Sequence, residues 1–231
     1  MKKFQRNIII AISLFTLVVV IGFSYSEVRK RKSMINDSTD LSMEVNKTTT
    51  ASNLSPIVIY NSHADEEYAF GKKVTDIGAI INDNLIKEGL NSSFIELKAA
   101  ESYTKSYSNS RESIKNNVEN YDKSILLDIH RDITDSPKTA ENDITIVLSK
   151  NNPYYETNRK FADLIVEEIN RTEEVKANIY LYNNGVNYFN QDLSKTALVI
   201  DIGYNTSTVE EVDACINALV SAFKNLNIKS S

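Results

Sequence analysis

Apolar and polar positions follow two different periods from residue 56 onward. Short continuous apolar runs, typical of buried strands, lie between segments whose apolar residues recur every three or four positions, as on one helix face. The runs predict strands at 56–60, 93–97, 124–129, 144–148, 178–182 and 197–202. The helical spacing predicts helices within 74–88, 110–118, 154–170 and 207–226. Because strands that alternate with helices form βαβ units, we predict a single α/β domain with a mainly parallel sheet covered by helices on both faces.

Two polar segments refine this outline. The stretch 103–107, which contains two tyrosines, has no apolar period, and we interpret it as a polar loop. The last helix is preceded by Ser207 and Glu210, whose spacing is that of a capping box. The sequence therefore predicts that this helix begins directly after Ser207.

The N-terminal part of the chain has a different composition. Residues 8–23 form an apolar stretch with basic residues on both sides, long enough to span a bilayer. We interpret it as a retained signal anchor, with a cleaved signal peptide as the alternative; the basic flanks do not decide its orientation. A segment rich in Ser, Thr, Asn and Asp follows and is typical of a flexible linker. The predicted parts are an anchor at 1–32, a linker at 33–55 and the α/β domain at 56–228.

Charge and cysteine content exclude two classes of protein. The formal net charge is −5, and seven of the 26 Lys and Arg residues lie within residues 1–32, so the predicted domain is more acidic still. Nucleic acid is therefore not an expected partner, because its recognition needs a basic surface. The single cysteine, Cys215, excludes an intrachain disulfide, and its place on the apolar face of the last helix predicts a buried thiol.

Both histidines of the chain follow predicted strands. His63 and His130 each lie just after an apolar run, and a third run ends in Asp201. The carboxyl ends of parallel strands meet at one edge of a sheet, so these side chains are expected to converge. Two histidines and a carboxylate suit a catalytic zinc ion. Glu66 is the expected carboxylate ligand, with Glu67 as the substitute.

Each of these residues also has a simpler interpretation. The acids after His63 could be solvated residues of a surface loop, and a histidine at the end of a strand often has a structural role. Asp128 or Asp132 could orient an imidazole by accepting a hydrogen bond from it. The shared position of the two histidines favours the metal site over these interpretations.

Four stretches carry a resemblance to a known family, the stage II sporulation protein P cell-wall amidases. V-I-Y-N-S-H-A-D-E at 58–66 is similar to the family's strand followed by H-T-H-N-T-E. Y-T-K-S-Y-S-N-S-R-E at 103–112 is similar to its Y-S-K-S-Y-x-x-S-R-E, and D-I-H-R-D at 128–132 matches its D-I-H-R-D. The fourth stretch, 190–203, contains N-Q-D-L at 190–193 and A-L-V-I-D-I-G at 197–203, which resemble the family's N-Q-D-L and L-x-E-I-G-G. The stretches occur in the family's order.

The resemblance implies an N-acetylmuramoyl-L-alanine amidase that uses Zn²⁺. It implies that His63, Glu66 and His130 hold the zinc, and that Asp201 is the catalytic carboxylate. The expected substrate is peptidoglycan, cleaved at the amide between N-acetylmuramic acid and L-alanine. The resemblance also implies a single-pass protein of the cell membrane with an extracytoplasmic catalytic domain. It further implies a role in engulfment during sporulation, with a lytic transglycosylase and a membrane protein as partners.

The chain departs from the family pattern at three places. Asn61 stands where the family has the first of two histidines, Asp201 replaces a glutamate, and Tyr204 replaces the second glycine of a pair. The alternatives are therefore a catalytically degenerate module that binds peptidoglycan or a partner, and a metal-free interaction domain. The stretch 103–112 has two open interpretations, a wall of a glycan groove or a loop clamped onto the sheet.

Overall fold

The computed structural model describes residues 54–134 and 143–229. This part of the chain contains six strands and four α-helices. The strands are β1 (Ile57–Tyr60), β2 (Ser92–Ile95), β3 (Ile125–Asp132), β4 (Asp143–Ser149), β5 (Lys176–Tyr182) and β6 (Ala197–Tyr204). The helices are α1 (Val74–Lys87), α2 (Tyr103–Asn117), α3 (Tyr155–Ile169) and α4 (Val209–Lys229). The predicted α/β domain is confirmed, although among the described residues no α-helix separates β3 from β4 or β5 from β6.

All six strands form one sheet in the order β2-β1-β3-β6-β4-β5. Four of the five neighbouring pairs are parallel, but β4 runs antiparallel to β6 and parallel to β5. The sheet is therefore mixed, and the prediction of a mainly parallel sheet is confirmed only in part. Because β4 and β5 run in reverse, their carboxyl ends lie at the opposite edge from those of β1, β3 and β6.

One face of the sheet carries the main apolar core and is here called the three-helix face. Alternate residues of β3, namely Ile125, Leu127 and Ile129, point to this face and are almost fully buried. Helices α1, α3 and α4 cover it with residues spaced three and four apart, as an amphipathic helix requires. The buried helix residues include Val74, Ile77, Ile81 and Leu85 of α1 and Val212, Cys215, Ile216, Leu219 and Phe223 of α4.

The opposite face of the sheet is here called the groove face, and α2 is the one described α-helix that covers it. Ile114 of α2 packs against Val58, Tyr60 and Leu126, which alternate along β1 and β3 with the core residues. Helices therefore lie on both faces, as predicted, but in unequal number. Within 54–134 and 143–229, no α-helix covers the groove face of β4, β5 and the end of β6.

Two local predictions are corrected. Residues 103–107 do not form a loop but the first turns of α2. The N-cap of this helix is Ser102, whose side chain accepts a hydrogen bond from Lys105 N at 3.4 Å. The helix forms without an apolar period because its buried residues include Ser106 and Ser110. The capping box before α4 lies one residue later than predicted, since Thr208 and Glu211 exchange the two hydrogen bonds.

The predicted single-pass location in the cell membrane is also corrected. Within 54–134 and 143–229, every helix is too short or too polar to cross a bilayer. The longest, α4, has Glu210 and Glu211 in its first turn and packs its apolar side on the sheet. The apolar stretch 8–23 and the linker predicted at 33–55 lie outside the described residues, apart from the last two positions of the linker.

Candidate active site

The four predicted site residues line one groove. His63, Glu66, His130 and Asp201 border a cavity of about 730 Å³ on the groove face. The sheet register explains part of this convergence, because His130 of β3 is the Cα partner of Asp201 of β6. Both residues are in phase with Leu126 and Ala197, which pack on that face. The structure therefore brings together residues from three separate segments.

A tight turn after β1 positions Glu66. The N–H of Glu66 donates to the carbonyl of His63 at 3.1 Å, which returns the chain toward β3. Oε2 of Glu66 then accepts a hydrogen bond from Arg131 N at 3.3 Å. Glu67 is exposed and does not line the groove. Of the two candidate carboxylates, it is Glu66 that lies beside the histidines.

His130 lies between two carboxylates. Its Nε2 is 2.9 Å from Oδ1 of Asp128 and 3.0 Å from Oγ of Ser62, and its Nδ1 is 3.4 Å from Oε2 of Glu66. Burial alone lowers the pKa of His130, but Asp128 and Glu66 outweigh it and raise that pKa well above its usual value. A negative potential strong enough to retain a proton on an imidazole also attracts a metal cation at the same place.

The geometry of Glu66 and His130 fits two ligands of one zinc ion. Ligand atoms 2.0–2.1 Å from a tetrahedral zinc are about 3.3 Å apart, close to the 3.4 Å between Glu66 Oε2 and His130 Nδ1. The contact between Asp128 and Nε2 favours a neutral tautomer that presents the Nδ1 lone pair to a metal. This donor set therefore suits zinc.

His63 is the less settled third donor. Its ring centroid is 5.2 Å from that of His130, and its Nε2 is 3.3 Å from Oγ of Ser106. In the part of the chain that the structure describes, no three His, Cys, Asp or Glu side chains are already arranged to hold a metal ion. Burial and His130 lower the pKa of His63, so its ring is neutral near pH 7, the state that binds metals.

Asp201 has the protonation behaviour of a group that can exchange protons near neutral pH. Burial raises the pKa of its carboxyl to about 7. The positive charge of His130 opposes this increase, whereas Asp132 and Glu66 add to it. General acid–base catalysis is most effective when the pKa of the group lies near the working pH.

Asn61, the departure from the family's first histidine, lies outside the groove. Its Nδ2 donates to the carbonyls of Val74 at 3.0 Å and Ile129 at 2.6 Å, toward α1 and the three-helix face. Gly78 of α1 leaves room for it, since a Cβ there would come within 2.8 Å of Asn61 Oδ1. Position 61 is thus a buried link between β1, α1 and β3, and the change to asparagine leaves the groove intact.

The stretch 103–112 is helical rather than a loop, and the two sides of α2 make different contacts. Tyr103 and Tyr107 line the groove, with ring centroids 4.7 and 5.1 Å from that of His63. Arg111 instead forms two hydrogen bonds, of 2.7 and 2.6 Å, with the carboxylate of Asp192. Asn190 adds a bond to Ser110 Oγ at 2.9 Å. The two motifs around Arg111 and Asp192 therefore clamp α2 to the chain segment before β6.

The residues that line the outer half of the groove were not predicted from the sequence. Asn178, Tyr180 and Tyr182 of β5 line it, together with Phe189. The available signal was the alternation of residues 178, 180 and 182 along a predicted strand, which places their side chains on one face. The sequence does not predict that this face of β5 lies beside the histidines.

The fold is shared with a bacterial cell-wall amidase. CwlD from Clostridioides difficile, solved in complex with the GerS lipoprotein, is similar to 77% of this chain over 100% of its own, with 12% identity and a TM-score of 0.50. The catalytic domain of CwlV, an N-acetylmuramoyl-L-alanine amidase from Bacillus (Paenibacillus) polymyxa var. colistinus, matches 76% of this chain and 99% of its own, with 9% identity and a TM-score of 0.47. The comparison with curated proteins finds no match.

The sequence itself settles the family. The profile of the stage II sporulation protein P family, SpoIIP, matches residues 24–224. The chain therefore belongs to this family, and the resemblance drawn from the four motifs is confirmed.

Proposed function

We propose that this protein is a zinc-dependent N-acetylmuramoyl-L-alanine amidase that cleaves peptidoglycan during sporulation. The observation that carries the proposal is the position of His130, whose Nδ1 lies 3.4 Å from Glu66 and whose β6 neighbour is Asp201. Two donors at zinc spacing beside a carboxyl with a pKa near 7 form a set suited to amide hydrolysis. Family membership supports the same reaction.

His63, Glu66 and His130 would hold the zinc ion, with Asp128 orienting the ring of His130. Bound there, zinc would polarise the amide carbonyl and acidify a water molecule. The Asp201 carboxylate accepts the proton of the attacking water and passes it to the amine of L-alanine as the C–N bond breaks. Water thus adds its oxygen to the lactyl carbonyl, and the stem peptide leaves with a free amino group.

Peptidoglycan is the proposed partner of the groove, and a lytic transglycosylase is the proposed protein partner. The lipoprotein bound to CwlD shows that an amidase of this fold is able to form a complex with another protein. For this chain we propose only that a second protein regulates its activity or determines where it acts.

A second function is favoured by two observations. Asp201 is one methylene shorter than the family glutamate, which withdraws its carboxylate by more than about 1 Å, and a misplacement of that size costs about a hundredfold in rate. The three metal donors are also not assembled within the described residues. Both observations fit a degenerate module that binds peptidoglycan or a partner without cutting it.

A digest of purified peptidoglycan by the full-length protein separates the two functions. With added Zn²⁺, mass spectrometry is expected to detect free stem peptides beginning at alanine, and a chelator is expected to remove them. Asp201→Asn should abolish the release, while Asp83→Asn, which changes an exposed carboxylate on α1, should not. Protein that carries zinc and binds the wall but releases no peptide would establish the binding module instead.

The variant Asp201→Glu tests whether the length of the side chain at position 201 is what limits the rate. If the shorter side chain limits the rate, the glutamate restores the missing methylene and raises the rate by about tenfold or more. A rate that stays at zero in this variant would show that the loss of chemistry has another cause.

A further inference from the structure

A line of aromatic rings leads away from the histidines along the groove. The ring centroid of Tyr107 is 5.1 Å from that of His63 and 5.3 Å from that of Phe189. Phe189 is 5.5 Å from Tyr182, which is 6.3 Å from Tyr180. The line begins at the proposed zinc site and ends on β5, the edge strand of the sheet.

The side chains of Tyr180 and Tyr182 are not part of the apolar core. Tyr180 is 55% exposed and Tyr182 is 44% exposed, although both stand on a strand that is paired with β4. On the neighbouring strands, Val147 and Val199 contribute apolar side chains to the lining of the groove beside these tyrosines. Large aromatic side chains that remain open to solvent next to apolar lining residues are typical of a ligand-binding surface.

A strained turn places Phe189 in this line. Asn187, Tyr188, Phe189 and Asn190 have φ values of 48°, 51°, 54° and 58°, which lie in the left-handed region that is unfavourable for non-glycine residues. The bond from Asn190 to Ser110 holds the end of the turn in this conformation. Strain of this kind persists where the surrounding structure imposes it, and it occurs most often at binding sites.

Gly185 is needed for the same arrangement. A Cβ at this position would come within 3.0 Å of the Phe189 ring and of Ser149 Oγ. Phe189 therefore packs directly against the backbone of the loop that precedes the turn. The loop and the turn together fix one wall of the outer groove.

The charges of the groove favour a neutral ligand in its outer half. The ionisable side chains His63, Glu66, His130, Asp132 and Asp201 all lie at the inner end. No Lys or Arg borders the groove among the described residues. A stem peptide carries carboxylates and would need cations here, whereas the sugars of a glycan strand are uncharged once their lactyl groups are amidated.

We propose that the outer groove is a saccharide subsite, which binds a sugar of the β-1,4-linked N-acetylhexosamine strand next to the muramoyl residue that is cleaved. The proposal rests on the proposed function. The apolar face of the sugar ring stacks on Tyr180 and Tyr182, with Phe189 as the inner wall. Asn178, on the same face of β5, supplies an amide that hydrogen-bonds sugar hydroxyl or acetamido groups.

Binding of a peptide-free sugar tests the subsite without requiring catalysis. The probe is the β-1,4-linked tetramer of N-acetylglucosamine, titrated into the full-length protein and followed by calorimetry. Tyr180→Ala and Tyr182→Ala should each weaken binding by about 2- to 10-fold, the size of one lost aromatic contact. Leu181→Ala is the matched control, because Leu181 is also exposed but points to the other face of β5. Equal affinity in all four proteins, or no binding by the wild type, would overturn the proposal.

A kinetic comparison tests the same subsite during turnover. The two substrates are an uncross-linked glycan strand that carries stem peptides and a single N-acetylmuramoyl peptide without neighbouring sugars. Tyr182→Ala should raise the KM for the strand relative to the KM for the single sugar by about 2- to 10-fold, whereas Leu181→Ala should keep the wild-type ratio. An unchanged ratio in Tyr182→Ala overturns the subsite. If the wild type cleaves neither substrate, the proposed function fails, and the tetramer titration decides the subsite separately.

Discussion

The two faces of the same sheet have opposite chemistry. On the three-helix face, Ile125, Leu127 and Ile129 of β3 are enclosed by aliphatic side chains. On the groove face of the same strand, Asp128 and His130 are also buried, but they contact one another, and His130 contacts Glu66. Because side chains alternate along a strand, β3 contributes core packing on one face and candidate active-site residues on the other.

The comparison shows how buried charge is tolerated in this protein. An isolated carboxylate inside a protein is strongly unfavourable, so it needs partners. Asp128 Oδ1 accepts from Ser62 N at 2.8 Å and contacts His130, whereas Oδ2 has no hydrogen-bond partner in the part of the chain that the structure describes. The groove face thus contains a buried polar cluster whose hydrogen bonds are not all formed, whereas the other face is packed with apolar side chains.

The largest expected effect comes from His130→Ala. This variant removes the Nδ1 donor, so zinc binding and amide hydrolysis should fall together, with the rate reduced by about 10³-fold or more. Zinc content and peptide release measure the two effects, and circular dichroism checks that the fold remains. A rate within tenfold of the wild type would remove His130 from the proposed mechanism.

Ile129→Ala makes the same truncation one residue away, on the three-helix face. Ile129 is 0% exposed, and its loss leaves a cavity in the core, so the free energy of unfolding should fall by about 2–5 kcal/mol. Urea denaturation measures this loss, with Ile86→Ala as an exposed control on α1. Activity per folded molecule should stay near that of the wild type. A variant that is stable but inactive would contradict the division between the faces.

Asp128→Asn tests whether the second carboxylate orients His130. The amide keeps the volume of the side chain but removes the negative charge beside Nε2, so zinc affinity should fall by about 10- to 100-fold. Competition with a zinc-binding dye measures the affinity, and Asp122→Asn, in the exposed turn before β3, is the control. Equal affinities in the two variants would show that Asp128 has only a structural role.

Asp201 predicts a pH dependence of stability in metal-free protein, which is the smallest effect when it is counted per unit of pH. The pKa of its carboxyl is about 7 in the folded state instead of 3.8, so the folded protein binds one more proton than the unfolded chain between these values. The unfolding free energy therefore falls as the pH rises through this window, by at most about 1.4 kcal/mol per pH unit. His130, Asp132, Glu66 and Asp128 are the charged groups that act on it.

The control for this titration is Asp201→Asn, which cannot ionise. Its unfolding free energy, measured in a chelating buffer from about pH 4 to about pH 7, should fall less steeply than that of the wild type. Parallel curves for the two proteins would show that Asp201 titrates at its usual pKa.

Much of the fold could be read from local patterns. Within the described residues, the apolar runs and the helical spacing located all six strands and three of the four helices to within a few residues, and the second half of α2, because both periods follow from the geometry of a single segment. The polar start of α2 was missed because its helix is stabilised by a cap and by buried serines rather than by an apolar stripe. Strand direction was also missed for β4 and β5, since no local pattern encodes whether a strand pairs parallel or antiparallel.

The sequence alone determined the elements, the family motifs and the residues worth testing, His63, Glu66, His130 and Asp201. Only the tertiary structure decided that Asn61 faces away from the groove, that Arg111 clamps Asp192, and that the rings of β5 continue the line from the histidines. The physical reason is range. Periodicity depends on neighbouring residues, whereas these contacts join segments far apart in the chain and exist only once the sheet has fixed their order and register.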